Sequence, residues 1–262
     1  MKHFILKTEP DKDKLVRLSG DDYHYLVRVK RLAQGEFFPA LLPNGEKTLV
    51  QVQLIDNDIL IGKCSKKAEN AGNITSAKKL PPIFLFQALP KGEKMDIIVR
   101  QAGETGLTEI VPFVSQFSIA KINAAGGSQQ KISRWQRIIK EARQQSGSVI
   151  ETGVCPPLTM DGLFVYWEEL KIKMPGTLGL IFHHLPIEKS SLHGYLENVP
   201  EAVVMAIGPE GGFSGPEVSR FLEAGFMPLT IGDTILRTET AALYCAASIR
   251  TILLEKDSWK PK

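Results

Sequence analysis

From residue 83 onward, short apolar runs alternate with segments whose apolar positions recur at helical spacing. Ile83 to Ala88 is an apolar run that predicts a strand, and after Pro90-Lys91-Gly92 the residues Met95, Ile98, Val99 and Ala102 fall on one face of a helix that Gly106 stops. Thr108 to Phe113 predicts the next strand, which makes a β-α-β unit of the kind found in parallel sheets. A glycine-containing linker at Asn123 to Ser128 precedes a helix from Ser133 to about Gln145, with Trp135, Ile138, Ile139 and Ala142 apolar. Leu178 to Phe182 and Ala202 to Ile207 predict two more strands, the second running directly into Gly208-Pro209-Glu210-Gly211-Gly212. A helix follows with Ser214 at its N-cap, Pro216 in its first turn and Gly225 as its stop. Pro228 to Ile231 predicts a strand that again ends in glycine. The last helix runs from about Glu239 to Glu255, with Thr238 as N-cap, Glu239 at the positive end of the dipole and Ala242, Cys245, Ala246, Ile249, Ile252 and Leu253 on one face.

The N-terminal part reads differently. His3 to Lys7 and Leu15 to Leu18 predict short strands, and Ser19 caps a helical turn with Tyr23, Leu26 and Val27 at helical spacing and Arg28, Lys30 and Arg31 at its end. Gly35 to Leu42 and Lys47 to Ile55 flank the turn Pro43-Asn44-Gly45-Glu46, a hairpin signal, and Val50, Val52 and Leu54 alternate with Gln51 and Gln53 so that one face is buried. Ile59 to Cys64 is a third strand. Several short strands with tight turns predict a small β-barrel. The pattern then breaks down between Ser65 and Pro82, so the expected domains are 1–77 and 78–262, an α/β parallel-sheet domain preceded by the barrel.

Composition narrows function little. The 262 residues are 43% hydrophobic and 23% charged, ordinary for a soluble globular protein. No apolar run approaches a membrane span and the N-terminus has no secretory core, so a cytoplasmic protein without membrane attachment is expected. Cys64, Cys155 and Cys245 form no paired framework and no metal-ligand spacing, and are expected reduced and buried. Residues 1–80 hold 14 Lys and Arg against 10 Asp and Glu, while the remainder holds 18 against 19. A basic N-terminal module fits nucleic-acid docking, and it equally fits charges that only solvate a small domain.

The candidate chemistry lies in two C-terminal stretches, Ile207-Gly208-Pro209-Glu210-Gly211-Gly212 and Ile231-Gly232-Asp233-Thr234-Ile235-Leu236-Arg237-Thr238-Glu239-Thr240-Ala241. Glycine and proline leave little side chain there, so main-chain groups can approach a ligand closely. Neither GxxxxGK[ST] nor GxGxxG is present, which excludes the usual nucleoside triphosphate and dinucleotide fingerprints. His183 and His184 end a predicted strand where open α/β sheets hold ligands, but no ligand set for zinc recurs at the right spacing, and no metal is expected.

Together with LPKGEKMDIIVRQAGETGLTEIVPF upstream, IGPEGGFS and LRTETA resemble the RsmE-type family of ribosomal RNA uridine-N3 methyltransferases, of the knotted SPOUT class. The resemblance covers nearly the whole chain. It implies a PUA-like RNA-binding barrel followed by a SPOUT methyltransferase domain with a C-terminal trefoil knot. It also implies S-adenosylmethionine held by Phe182, His183, Ile207, Gly208, Pro209, Glu210, Gly211, Gly212, Ile231, Gly232, Ile235, Leu236, Thr240 and Ala241. RNA contacts are implied for Arg28, Arg31, Lys91 and Lys94. The implied substrate is 16S ribosomal RNA within the small ribosomal subunit, and the implied assembly is a homodimer. Methyl transfer to uridine N3 requires an in-line approach and loss of an imide proton; a cation near the base favours its anionic form. Arg237 is the first candidate for that cation, with Glu239 either holding it or acting as base; a plain ion pair buttressing the last helix is the alternative. Two segments depart from the family pattern: Ser115-Gln116-Phe117 lacks an acidic and basic pair, and Ser148 stands where an arginine is usual. A ribose 2′-hydroxyl methyltransferase of the same class, or a catalytically silent RNA-binding module, would share much of this pattern.

Overall fold

The computed structural model describes residues 3–65, 80–118, 127–183, 190–230 and 232–256. The chain divides into two compact units, Met1–Ala77 with Ala142–Val149, and Lys78–Glu141 with Ile150–Lys262.

In the first unit, β1 (Phe4–Ile5), β2 (Leu15–Ser19), β3 (Phe37–Leu41), β4 (Lys47–Asp56) and β5 (Ile59–Ser65) form one sheet in the order β1-β3-β4-β5-β2. Only the β1–β3 pairing is parallel. The hairpin turn forms as expected: Gly45 takes φ 83°, and Leu42 N–H donates to Glu46 O at 2.8 Å. Val50 and Val52 are fully buried, each such burial contributing about 1.5–3 kcal/mol. The expected inward Leu54 is instead 44% exposed. A bulge at Gln53 shifts the register, so Val52 opposes Gly62 and Leu54 opposes Ile61; the extra residue flips the alternation and Ile55 packs on the core in place of Leu54. The helical turn is α1 (Asp21–Tyr23), preceded by Gly20 rather than Ser19 as N-cap, and it continues as a π-helical segment over His24–Val29.

The second unit carries a six-stranded, all-parallel sheet. Its elements in chain order are β6 (Ile83–Ala88), α2 (Lys94–Thr105), β7 (Glu109–Phe113), α3 (Gly127–Ser146, whose residues from Ala142 on belong to the first unit), β8 (Gly153–Val154), α4 (Met160–Lys173), β9 (Thr177–Phe182), α5 (Leu192–Tyr195), β10 (Ala202–Ile207), α6 (Gly215–Glu223), β11 (Met227–Leu229) and α7 (Thr238–Glu255). The strand order is β11-β9-β10-β6-β7-β8. Every residue of β6 and β10 is buried because both sheet faces are covered. Strand parity divides the core: Ile83, Leu85, Val203, Met205 and Ile207 face the apolar sides of α2, α3 and α7, whereas Phe84, Phe86, Val204 and Ala206 face α4 and α6. Gly106 ends α2 in the left-handed region at φ 70°, as expected of a stop.

Two helix starts in this unit differ from expectation. Helix α3 begins at Gly127, earlier than Ser133. Helix α7 begins at Thr238, with Arg237 at the N-cap and no side-chain capping bond; the Thr238 hydroxyl accepts from Gln87 Nε2 at 3.0 Å and donates to Gly208 O at 2.7 Å. Cys64 and Cys245 are buried and Cys155 partly so, none in a disulfide. Among the described residues no helix is long and apolar enough to cross a membrane.

Candidate active site

The carboxyl ends of β9, β10 and β11 and the start of α7 enclose a cavity of about 640 Å³. In a parallel sheet that edge collects the loops that can carry ligand contacts. Of the residues expected at a cofactor site, the structure brings Phe182, His183, Ile207, Gly208, Pro209, Glu210, Gly211, Gly212, Gly232, Ile235, Leu236 and Ala241 to the cavity wall. Ile231 lies outside the described residues. Thr240 is exposed and does not line the cavity, since Thr238, Ala241 and Cys245 occupy the facing side of α7 at helical spacing. Asp233, Thr234 and Thr238, within the C-terminal stretch that the sequence singles out, also line it, and Phe213, Thr230 and Cys245 complete the wall without having been anticipated. Burial holds the Cys245 thiol well above its usual range, so it presents a neutral, weakly polar surface.

The loop after β10 is built by tertiary bonds. Gly212 N–H donates to Pro209 O at 2.9 Å with Gly212 at φ 70°. A Cβ on Gly208 would fall 3.1 Å from the Gly212 Cα and carbonyl carbon and 3.3 Å from Phe213 N, so a larger residue there would have to push aside the loop's own backbone. The buried Gln87 amide donates to Ala88 O at 2.9 Å and to Thr238 Oγ1 at 3.0 Å, and Thr238 in turn donates to Gly208 O. Strand β6, helix α7 and the glycine loop are thereby joined through one hydroxyl. Glu210 accepts from Lys91 N–H at 3.1 Å and from Lys94 Nζ at 2.6 Å, which fixes the loop to the start of α2. Burial acts to raise the Glu210 carboxyl, but the Lys94 ammonium and the backbone N–H groups of Glu210 and Lys91 outweigh it and hold it below its ordinary value.

The loop before α7 has fewer ties. Among the described residues, no hydrogen bond joins residues 232–236 to other groups; Ile235 is 84% exposed. Arg237 is exposed at the N-cap and its guanidinium has no ion-pair or hydrogen-bond partner among the described residues. Neither Arg237 nor Glu239 lines the cavity, and they form no ion pair with each other; Glu239 Oε2 is buried without a partner. His183 N–H donates to Leu229 O at 3.0 Å, and His184 lies outside the described residues.

Of the expected RNA contacts, Arg28 and Arg31 are exposed in the first unit, with Arg28 over the Tyr23 ring at 6.0 Å. Lys91 is exposed, while the charge of Lys94 is shared with Glu210. Gln87 was the missed residue with a visible signal: an amide inside an otherwise apolar run.

A parallel sheet flanked by helices on both faces, with a glycine-walled cavity at its carboxyl edge, is the build of an α/β protein that holds a small organic ligand by main-chain groups. A family model for the RNA methyltransferase domain matches residues 77–250, and the chain belongs to that family. It is 35% identical to ribosomal RNA small subunit methyltransferase E of Synechocystis, over 95% of this chain and 77% of the relative. The protein of the same name from Bacillus subtilis is 27% identical, over 97% of each chain. The crystal structure of ribosomal RNA small subunit methyltransferase E from Neisseria gonorrhoeae, bound to S-adenosyl methionine, aligns with a TM-score of 0.78 at 25% identity, covering 96% of this chain and 98% of that one.

Proposed function

We propose that the protein methylates N3 of a uridine in 16S ribosomal RNA of the small subunit, using S-adenosylmethionine. The observation that carries this reading is the cavity that both glycine loops share, with Arg237 immediately before the helix that closes it. About 640 Å³ lies within the roughly 300–1,000 Å³ range of small-molecule sites, and main-chain polar groups with an apolar floor suit a nucleoside attached to an amino-acid tail. When bound, this cofactor supplies an electrophilic methyl group on a sulfonium.

The chain's own part is positioning and charge. Loop 208–212 and residues 182–183 hold the adenosyl portion by backbone groups, and loop 232–236 with Ala241 closes the opposite side. Arg237 stabilises the uracil N3 anion as its proton leaves, and Glu239, which has no ion pair with Arg237, accepts that proton. Arg28, Arg31 and Lys91 take phosphates, Lys94 doing so with a charge reduced by Glu210. In this reading residues 1–77 are a PUA-like RNA-binding domain and residues 78–262 a SPOUT domain whose C-terminal segment is threaded as a trefoil knot. The protein works in the cytoplasm as a homodimer; exposed Ile235, Tyr244 and Leu254 on and before α7 supply the apolar surface. Light scattering at twice the 29.0 kDa chain mass is the expected result, and a monomer at micromolar concentration would refute it.

The functional test is single-turnover methylation of small subunits that lack the modification, read by nucleoside mass spectrometry. A 3-methyluridine product is expected, and a 2′-O-methyl product would overturn the reading. Arg237→Ala should bind cofactor normally yet lose about 100-fold or more in rate, the usual cost of deleting one well-placed charge stabiliser. Lysine should restore only part of it, for want of the planar fork. Unchanged turnover in the alanine variant would leave Arg237 a structural N-cap.

A further inference from the structure

Phe117 follows β7, on the same carboxyl edge of the sheet as the cavity, and is left 47% exposed. Its exposure is not looseness. Val114 N–H donates to Leu158 O at 2.9 Å, Ser118 N–H to Ser115 O at 3.0 Å, and Gln116 N–H to Glu217 Oε1 at 2.8 Å. The other Glu217 oxygen accepts from Ser214 at the start of α6, so the turn carrying Phe117 is pinned to a helix cap. On its inner side the ring lies against the cavity wall: a Cβ built on Gly211 would come 3.0 Å from Phe117 Cβ and 3.3 Å from Cγ. The preceding residue of that wall, Glu210, holds the backbone of Lys91, whose side chain is exposed. An aromatic ring and the backbone of a lysine with an exposed side chain therefore abut successive residues of the loop beside the cavity.

A base that is alkylated on its Watson–Crick edge has to be unpaired, enzymes acting there commonly extrude it, and an extruded base gains most from an aromatic face, whatever its identity. The adjoining phosphate needs a cation. We propose that Phe117 is a substrate-binding residue, a stacking platform for the extruded nucleobase, with Lys91 on the neighbouring phosphate. This rests on the RNA-methylation reading above.

The test compares Phe117→Ala, Phe117→Leu and Phe117→Trp in single-turnover methylation of unmodified small subunits, with S-adenosylmethionine affinity measured in parallel by calorimetry. Alanine and leucine should each lose roughly 5- to 100-fold in the methylation rate at subsaturating subunits, the range of base–aromatic stacking, while tryptophan keeps it and cofactor affinity stays unchanged in all three. The indole of Phe117→Trp should also be quenched when unmodified subunits are added without cofactor. Leucine equal to the native residue, absence of that added quenching, or a parallel loss of cofactor affinity would overturn the platform. If quenching occurs but the native protein transfers no methyl group, the uridine-methylation reading falls and the platform stands.

Discussion

Residues 208–212 and residues 232–236 wall the same cavity, yet only the first are tied by hydrogen bonds to α2 and α7 among the described residues. Gly208 is crowded by the loop's own backbone, whereas a Cβ on Gly232 would meet nothing within 4 Å. The first loop has its shape fixed on folding. The second has no such ties among the described residues, which leaves more of its ordering to the moment a ligand or partner arrives. Gly208 and Gly232 thus need glycine for different reasons: close approach of backbone at the first, a positive φ of 72° at the second.

The sharpest way to break this contrast is to exchange the glycines. Gly208→Ala forces a Cβ against backbone that cannot swing away, and overpacking of that kind costs about 1–3 kcal/mol, so cofactor affinity should fall roughly 10- to 100-fold, and further with valine. Gly232→Asn supplies a residue that tolerates the left-handed region, and affinity should stay within about twofold. Calorimetry on variants shown by circular dichroism to be folded decides it. Equal losses at both positions would mean that the loops are not built differently.

The Gln87–Thr238–Gly208 chain is the next term. Thr238→Val leaves the Gly208 carbonyl and one Gln87 amide proton without their partner, and a buried group so stranded costs about 1–3 kcal/mol. Gln87→Leu removes the amide and with it the buried, unpartnered Gln87 Oε1. The double variant should therefore lose less stability than the two single losses added, with a coupling of at least about 0.5 kcal/mol in denaturant unfolding. Strict additivity would show that the hydroxyl does not link the strand to the loop.

Much of this architecture was legible because central parallel strands cannot hide: Ala202 to Ile207 is apolar at every position and is buried at every position. Helix α4 was not foreseen. Leu163, Trp167 and Leu170 are buried on it, but Val165 and Ile172 are 60% and 80% exposed, and apolar residues on both faces erase the period that marks a helix. Leu54 failed for a local reason, the Gln53 bulge, which no alternation pattern announces. In the site, the glycine loops were readable since backbone access is a property of residue type. The roles of Thr238 and Phe117 depend on what lies across the fold, at Gly208 and Gly211, and sequence spacing carries no such information.

The smallest expected effect concerns Glu210, the anchor that separates the tied loop from the untied one at α2. Its folded carboxyl titrates below the ordinary value of 4.5, so the bonds to Lys94 and Lys91 contribute at all pH values above that and are lost as the pH falls through the lower, folded value. Near neutrality the anchor should be insensitive to pH. The side chain is 36% exposed and solvent screens the pair, so Glu210→Gln should weaken cofactor binding only a few-fold at neutral pH. It should also remove the part of the acid-side decline in affinity that comes from protonating this carboxyl, because glutamine has no proton to gain. Binding measured from neutral pH down through the carboxylate range, for both proteins and at two salt concentrations, tests this. An unchanged acid limb in the glutamine variant would assign that decline to other groups and leave Glu210 a hydrogen-bond acceptor whose charge is immaterial to the loop.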